Sequence, residues 1–103
     1  MKLHLLCENS GTRFNETQYV FHCPGCECGH AVRIRGPEPC WVWNGNTETP
    51  TFTPSIMVNR GSSNPTAPQC HSFVTEGKIQ FLSDCSHALA DQTVDIPEWD
   101  ELD

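Results

Sequence analysis

Apolar and polar residues alternate along this chain in short runs separated by turn residues, and that two-residue period predicts strands rather than helices. Leu3 to Leu6 reads as a first strand, with a polar loop over Glu8 to Thr12 behind it. Gln18 to His22 is rich in β-formers and runs straight into Cys23-Pro24-Gly25-Cys26. Beyond that turn His30, Val32 and Ile34 share one face while Ala31, Arg33 and Arg35 share the other, as a half-buried antiparallel strand requires. Cys23 to Cys28 is therefore expected at the tip of a hairpin.

A second hairpin is written more plainly still. Cys70 to Thr75 and Lys78 to Leu82 flank Glu76-Gly77, and Gly77 can take the positive φ of a two-residue loop. With that loop Val74 faces Ile79, so Cys70, Ser72, Val74, Ile79 and Phe81 share one face and His71, Phe73 and Leu82 the other. Between the hairpins, Cys40 to Asn44 carries Trp41 and Trp43 on one side, which suits a core position. Thr49 to Ser55 holds Pro50 and Pro54, each lacking a ladder donor, so it is expected as an edge or an extended connector, with a strand resuming at Ser55 to Asn59. Gly61 to Gln69 reads as a surface loop. The fold class is thus mostly β: a small antiparallel β domain with a zinc-ribbon-like knuckle and little helix, one metal-stapled unit over residues 1–97, then an acidic tail over 98–103.

Composition changes this picture through its cysteines. Seven in 103 residues are many for a small domain, and an odd number cannot all pair within one chain. The opening residues carry no apolar run suited to export, and no stretch is apolar enough to span a membrane. Metal binding in a reducing compartment is the expectation. The C-x2-C turn presents two sulfurs to one ion, and zinc, which prefers four tetrahedral ligands, needs two more. The candidates for those are Cys70 and His71, with Cys85 or His87 able to replace one of them, and the set preferred is Cys23, Cys26, Cys70 and His71. Neighbouring strand residues point apart, so the adjacent pair can serve together only if Cys70 precedes the strand proper. His30, Asp84, Cys85 and His87 form an alternative or supporting set, in which Asp84 orients a ligand imidazole or caps the turn after it. Cys28 is read as a free or supporting thiol, and Cys7 and Cys40 as small apolar residues.

Net charge narrows the partners. Six Lys and Arg against thirteen Asp and Glu give −7, and three thiolates around one Zn²⁺ make it one unit more negative. Nucleic acid is not expected, since Arg33 and Arg35 are the only basic cluster. Asp95, Glu98, Asp100, Glu101 and Asp103 read as a solvated tail, with Trp99 as an apolar anchor if it docks on a basic partner.

Taken together, Cys23 to Cys26, His30, Trp43 to Gly45, Pro50 to Ser55, Cys70 to Val74 and Gly77 to Ala90 resemble a family of small Cys/His-rich proteins of tailed phages and prophages. The resemblance covers about Phe21 to Pro97. It implies the cytoplasm of an infected bacterium or a virion as the location, and it favours His71 as a ligand. Where that family has Gly before Gln-Thr-Val, this chain has Asp91, which can hold the same left-handed turn. The function expected is a protein-binding accessory factor or minor virion component with a structural zinc, not an enzyme, because thiolate donation lowers Lewis acidity. Open strand edges permit an oligomer. The alternative is a metal-dependent hydrolase or transferase with an open zinc site near His30, Asp84 and His87, although the His-x-Glu and Pro-Cys-x-x-Cys pattern of zinc deaminases is missing.

Overall fold

A computed structural model describes residues 1–9, 16–64 and 66–102, with only the backbone of Cys7 and Asn9. Most of the polar loop after the first strand, the Cys7 side chain and the last tail residue fall outside the described residues. Among the described residues eight strands, β1 (His4–Asn9), β2 (Glu16–Cys23), β3 (Cys28–Arg35), β4 (Val42–Trp43), β5 (Phe52–Val58), β6 (Cys70–Thr75), β7 (Lys78–Phe81) and β8 (Thr93–Asp95), precede one 3₁₀ turn at Trp99–Glu101. They form two antiparallel sheets, ordered β1-β2-β3 and β4-β5-β6-β7-β8. Among the described residues no helix is long and apolar enough to cross a membrane.

The core lies between the sheets because each turns its apolar face inward. Phe21, Cys23 and Val32 come from the three-stranded sheet, and Phe52, Ile56, Val74, Ile79 and Phe81 from the five-stranded one. Phe21 and Phe81 are fully buried; each such burial contributes roughly 1.5–3 kcal/mol relative to exposure. Trp41 and Trp43 pack against this core, as their shared side suggested, and Trp43 lies 4.7 Å from Tyr19.

Both predicted hairpins form. In the first, His22 opposes Gly29 and Cys23 opposes Cys28, so the cysteine turn is the tip. In the second, Thr75 opposes Lys78 and Val74 opposes Ile79. Glu76 and Gly77 both take positive φ, 50° and 80°, the mirror-image turn whose twist matches the strands. Cys70, Ser72 and Val74 are buried while Phe73 and Thr75 are exposed, the predicted division of faces. Asp91 takes φ 67°, the left-handed turn expected there.

Two expectations are corrected. β5 is an interior strand, flanked by β4 and β6, despite its proline. Pro54 falls inside a register break between the Phe52–Val74 and Ile56–Ser72 pairs, where no ladder donor is required of it. The acidic tail is docked: Trp99 N donates to Met1 O at 2.7 Å, and its ring stacks on His4 at 5.3 Å.

Candidate active site and metal centre

The alternation of β6 separates two kinds of chemistry. Cys70 points into the core and His71 to the outer face of the five-stranded sheet, where the imidazole is bonded at both nitrogens. Nε2 lies 3.0 Å from Ser55 Oγ, and Nδ1 lies 3.1 Å from Asp84 Oδ2.

Each partner is placed by a local feature. Ser55 ends the register break of β5, where Thr53, Pro54 and Ser55 stand opposite the single residue Phe73. The bulge restores the alternation so that Ile56 points inward beside Ser72, leaving Ser55 on the face of Met57, the cross-strand neighbour of His71. Trp41 Nε1 donates to Ser55 O at 3.2 Å and steadies that backbone. Asp84 sits in the turn after β7, closed by Cys85 N donating to Leu82 O at 3.2 Å. Gln69 Nε2 donates to Asp84 O at 2.7 Å and ties this turn to the start of β6. The Asp84 side chain is 46% exposed, so its carboxylate stays hydrated while it holds the ring.

With Nδ1–H donating to the carboxylate, Nε2 offers its lone pair to the serine hydroxyl. A hydroxyl, an imidazole and a carboxylate in this series are the constellation that acyl-transfer enzymes use to activate serine, whatever their order along the chain.

On the inner side a second constellation forms. The ligand atoms of Cys23, Cys26, His30 and Cys70 lie within 4.8 Å of one another, a group able to hold a metal ion. Cys23 Sγ is 3.9 Å from Cys70 Sγ; zinc–sulfur bonds of about 2.3 Å in a tetrahedron set sulfurs about 3.8 Å apart. The knuckle supplies a backbone donor, Cys26 N, 3.4 Å from Cys23 Sγ. His30 is buried and its Nε2 has no hydrogen-bond partner, a costly state that a metal bond would relieve. The contact with Cys70 holds Cys23 down to about 4 and drives Cys70 upward, and burial pushes Cys26 up to about 12. A cation among them would favour the thiolate of all three, because coordination deprotonates thiols outright.

A second group, Cys70, Cys85 and His87, also lies within 4.8 Å. Its hydrogen bonds argue against ligation. Leu89 N donates to His87 Nδ1 at 3.2 Å, which leaves the ring proton on Nε2, a buried nitrogen with no hydrogen-bond partner. Cys85 Sγ donates to His71 O at 3.2 Å and so carries its proton. His87 has a packing role: its ring lies edge-on to Phe81, 4.5 Å away, and against Gly25, where an added Cβ would meet it at 2.3 Å.

The structure therefore brings Cys23, Cys26 and Cys70 together as the sequence suggested but gives the fourth place to His30. His71 lies outside that group, on the opposite face between Ser55 and Asp84, as the alternation of a strand requires. Asp84 does orient an imidazole, though not one beside the metal group, and with Asp84 in neither group, His30, Asp84 and His87 do not make one open site. Cys28 is exposed, and Cys40 Sγ donates to Gly36 O at 3.3 Å. Ser55 was missed; the signal available was a serine behind Pro54 in the Pro-Thr-Phe-Thr-Pro-Ser block.

The outer face thus has the makings of a serine hydrolase, on a small β scaffold whose inner Cys/His group could hold a metal ion. A family model described as "Bacterial ubiquitination-like system serine protease (BubE)" matches residues 4–82. The chain belongs to that family. No curated protein and no solved structure matches it. The family is named for a bacterial system, and the comparisons lend the phage resemblance no support.

Proposed function

We propose that this protein is a serine protease of a bacterial ubiquitination-like system, with Ser55 as nucleophile, His71 as general base and Asp84 as its orienting carboxylate. The observation that carries the proposal is the doubly bonded His71 ring, 3.0 Å from Ser55 Oγ and 3.1 Å from Asp84 Oδ2. The family's name gives independent support.

In this reading His71 Nε2 takes the Ser55 proton as Oγ attacks the scissile carbonyl. Asp84 stabilises the imidazolium, and His71 then returns the proton to the departing amine. An acyl-enzyme on Ser55 remains until water, activated by the same nitrogen, releases the acid. The partner in this reading is a protein, a ubiquitin-like polypeptide of that system.

The metal we assign to Cys23, Cys26, His30 and Cys70 is Zn²⁺ in a structural role, where it pins the knuckle of β2 and β3 to the start of β6. Three sulfurs and one imidazole are a closed donor set.

The test is cleavage of the system's ubiquitin-like protein carrying a C-terminal fluorophore. Release by the wild-type chain, and none by Ser55→Ala with an unchanged circular dichroism spectrum, is the expected result. Release that survives Ser55→Ala would refute the assignment.

A further inference from the structure

We propose that Cys85 is a positioning residue for the catalytic base, holding the main chain of His71 while its neighbour Asp84 holds the ring. The proposal rests on the reading of Ser55, His71 and Asp84 as a triad.

The need arises from where β7 stops. The β6–β7 ladder ends at the Ser72–Phe81 pair, and one step further His71 would exchange two hydrogen bonds with Leu82 if the strand continued. Only half of that exchange occurs. Leu82 N donates to His71 O at 2.9 Å, but Leu82 O is taken by Cys85 N at 3.2 Å, the bond that closes the turn bearing Asp84. The His71 N–H thus loses its natural acceptor at the position where the base must be held still. The Cys85 thiol replaces it: His71 N donates to Cys85 Sγ at 3.2 Å, and Sγ–H donates to His71 O, also at 3.2 Å. Cys85 is 8% exposed, so no water is at hand to take over.

The consequence is geometric. The residue that satisfies the backbone of the base is the same one that closes the turn carrying the orienting carboxylate. Displacement of residues 84 and 85 moves the carboxylate and the imidazole's own anchor together. The segment is fastened further by Ser86 N donating to Gln69 O at 2.9 Å and Gln69 N donating to Ser86 Oγ at 2.8 Å. A buried cysteine beside a thiolate cluster is readily taken for a ligand, yet these bonds make this one a neutral thiol that serves as both acceptor and donor to a single residue.

The experiment uses the metal-loaded full chain and a fluorophosphonate probe, which needs no knowledge of the substrate. Ser55 Oγ forms a bond to phosphorus, the P–F bond breaks with loss of fluoride, and His71 takes the hydroxyl proton. Cys85→Val keeps volume and apolarity but removes both hydrogen bonds. It is expected to slow labelling roughly 30- to 100-fold, the scale of a misplaced catalytic group, with metal content unchanged. The midpoint of the rate against pH should shift with it. Cys85→Ser, which restores a donor and an acceptor, should return both the rate and the midpoint to near wild type. An unchanged rate in Cys85→Val, loss of the metal from that variant, or failure of the serine to rescue would each overturn the proposal; if valine does not fold, Cys85→Ala bears the same comparison. A wild-type chain that is not labelled at Ser55 would instead refute the triad itself.

Discussion

Cys70 and His71 are consecutive residues of β6 that serve opposite faces of one sheet: the thiol joins the buried cluster with Cys23, Cys26 and His30, and the imidazole lies on the outside between Ser55 and Asp84. A strand has no other way to place neighbours. The candidate metal group and the candidate reactive site are therefore one residue apart along β6.

The triad should respond to substitution as a unit. Ser55→Ala and His71→Ala are each expected to lower kcat by about 10⁶, and the double variant no further, because either loss alone already removes nucleophilic catalysis. Asp84→Asn should cost less, about 10²–10⁴, since the amide no longer holds the correct tautomer but leaves the ring in place. Steady-state kinetics on the fluorophore-bearing substrate would read all four.

Metal analysis should find one Zn²⁺ per chain, lost from Cys23→Ser, Cys26→Ser, Cys70→Ser and His30→Ala. His87→Gln should retain it, since its Nε2 carries the ring proton. A strong chelator should unfold the chain, as binding of a structural metal is folding free energy. Mass spectrometry under native conditions and circular dichroism read the two effects.

Gly25 packs on the His87 ring so closely that a methyl group would sit 2.3 Å from Cε1. Gly25→Ala is expected to destabilise by about 1–3 kcal/mol through overpacking. For a chain of this size each kcal/mol lowers Tm by roughly 4–8 °C, which calorimetry would detect.

Two surface ion pairs give a small acid dependence. The hydrogen bond from Arg33 holds Glu16 below its ordinary 4.5, and that from Lys78 holds Asp95 below 3.8. A folded pKa below the unfolded one stabilises above the unfolded value, and the gain is lost as pH falls through the folded one. Melting of the wild type should therefore decline below about pH 4.5 more steeply than that of Glu16→Gln. The Arg33–Glu16 pair is half-buried and the Lys78–Asp95 pair exposed, so the difference should be modest and salt should weaken the Lys78–Asp95 pair more.

Much of this was legible in the residues. The Glu76-Gly77 turn set the register of β6 and β7, and the Cys-Pro-Gly-Cys turn fell at the tip of β2 and β3, since both are local signals with a defined period on either side. Alternation even marked Cys70 and His71 as an awkward pair for one ion. It could not say what the outward ring would meet, because Ser55 and Asp84 reach it from distant parts of the chain. Ser55 was hidden further by Pro54, which argued for a connector; a register break turns that stretch into an interior strand and aims the hydroxyl at β6. His30 was legible as an inward residue of β3, but its nearness to Cys70 depends on how the two sheets pack, which no short-range pattern encodes.

The central claim, that Ser55 is a hydroxyl activated by His71 and Asp84, is tested most directly by intact-mass measurement after brief exposure of the metal-loaded chain to a fluorophosphonate. One adduct per chain, mapped to Ser55 and absent from Ser55→Ala and His71→Ala, is the predicted result. No adduct on the folded protein, or an adduct that persists in His71→Ala at the wild-type rate, would contradict it.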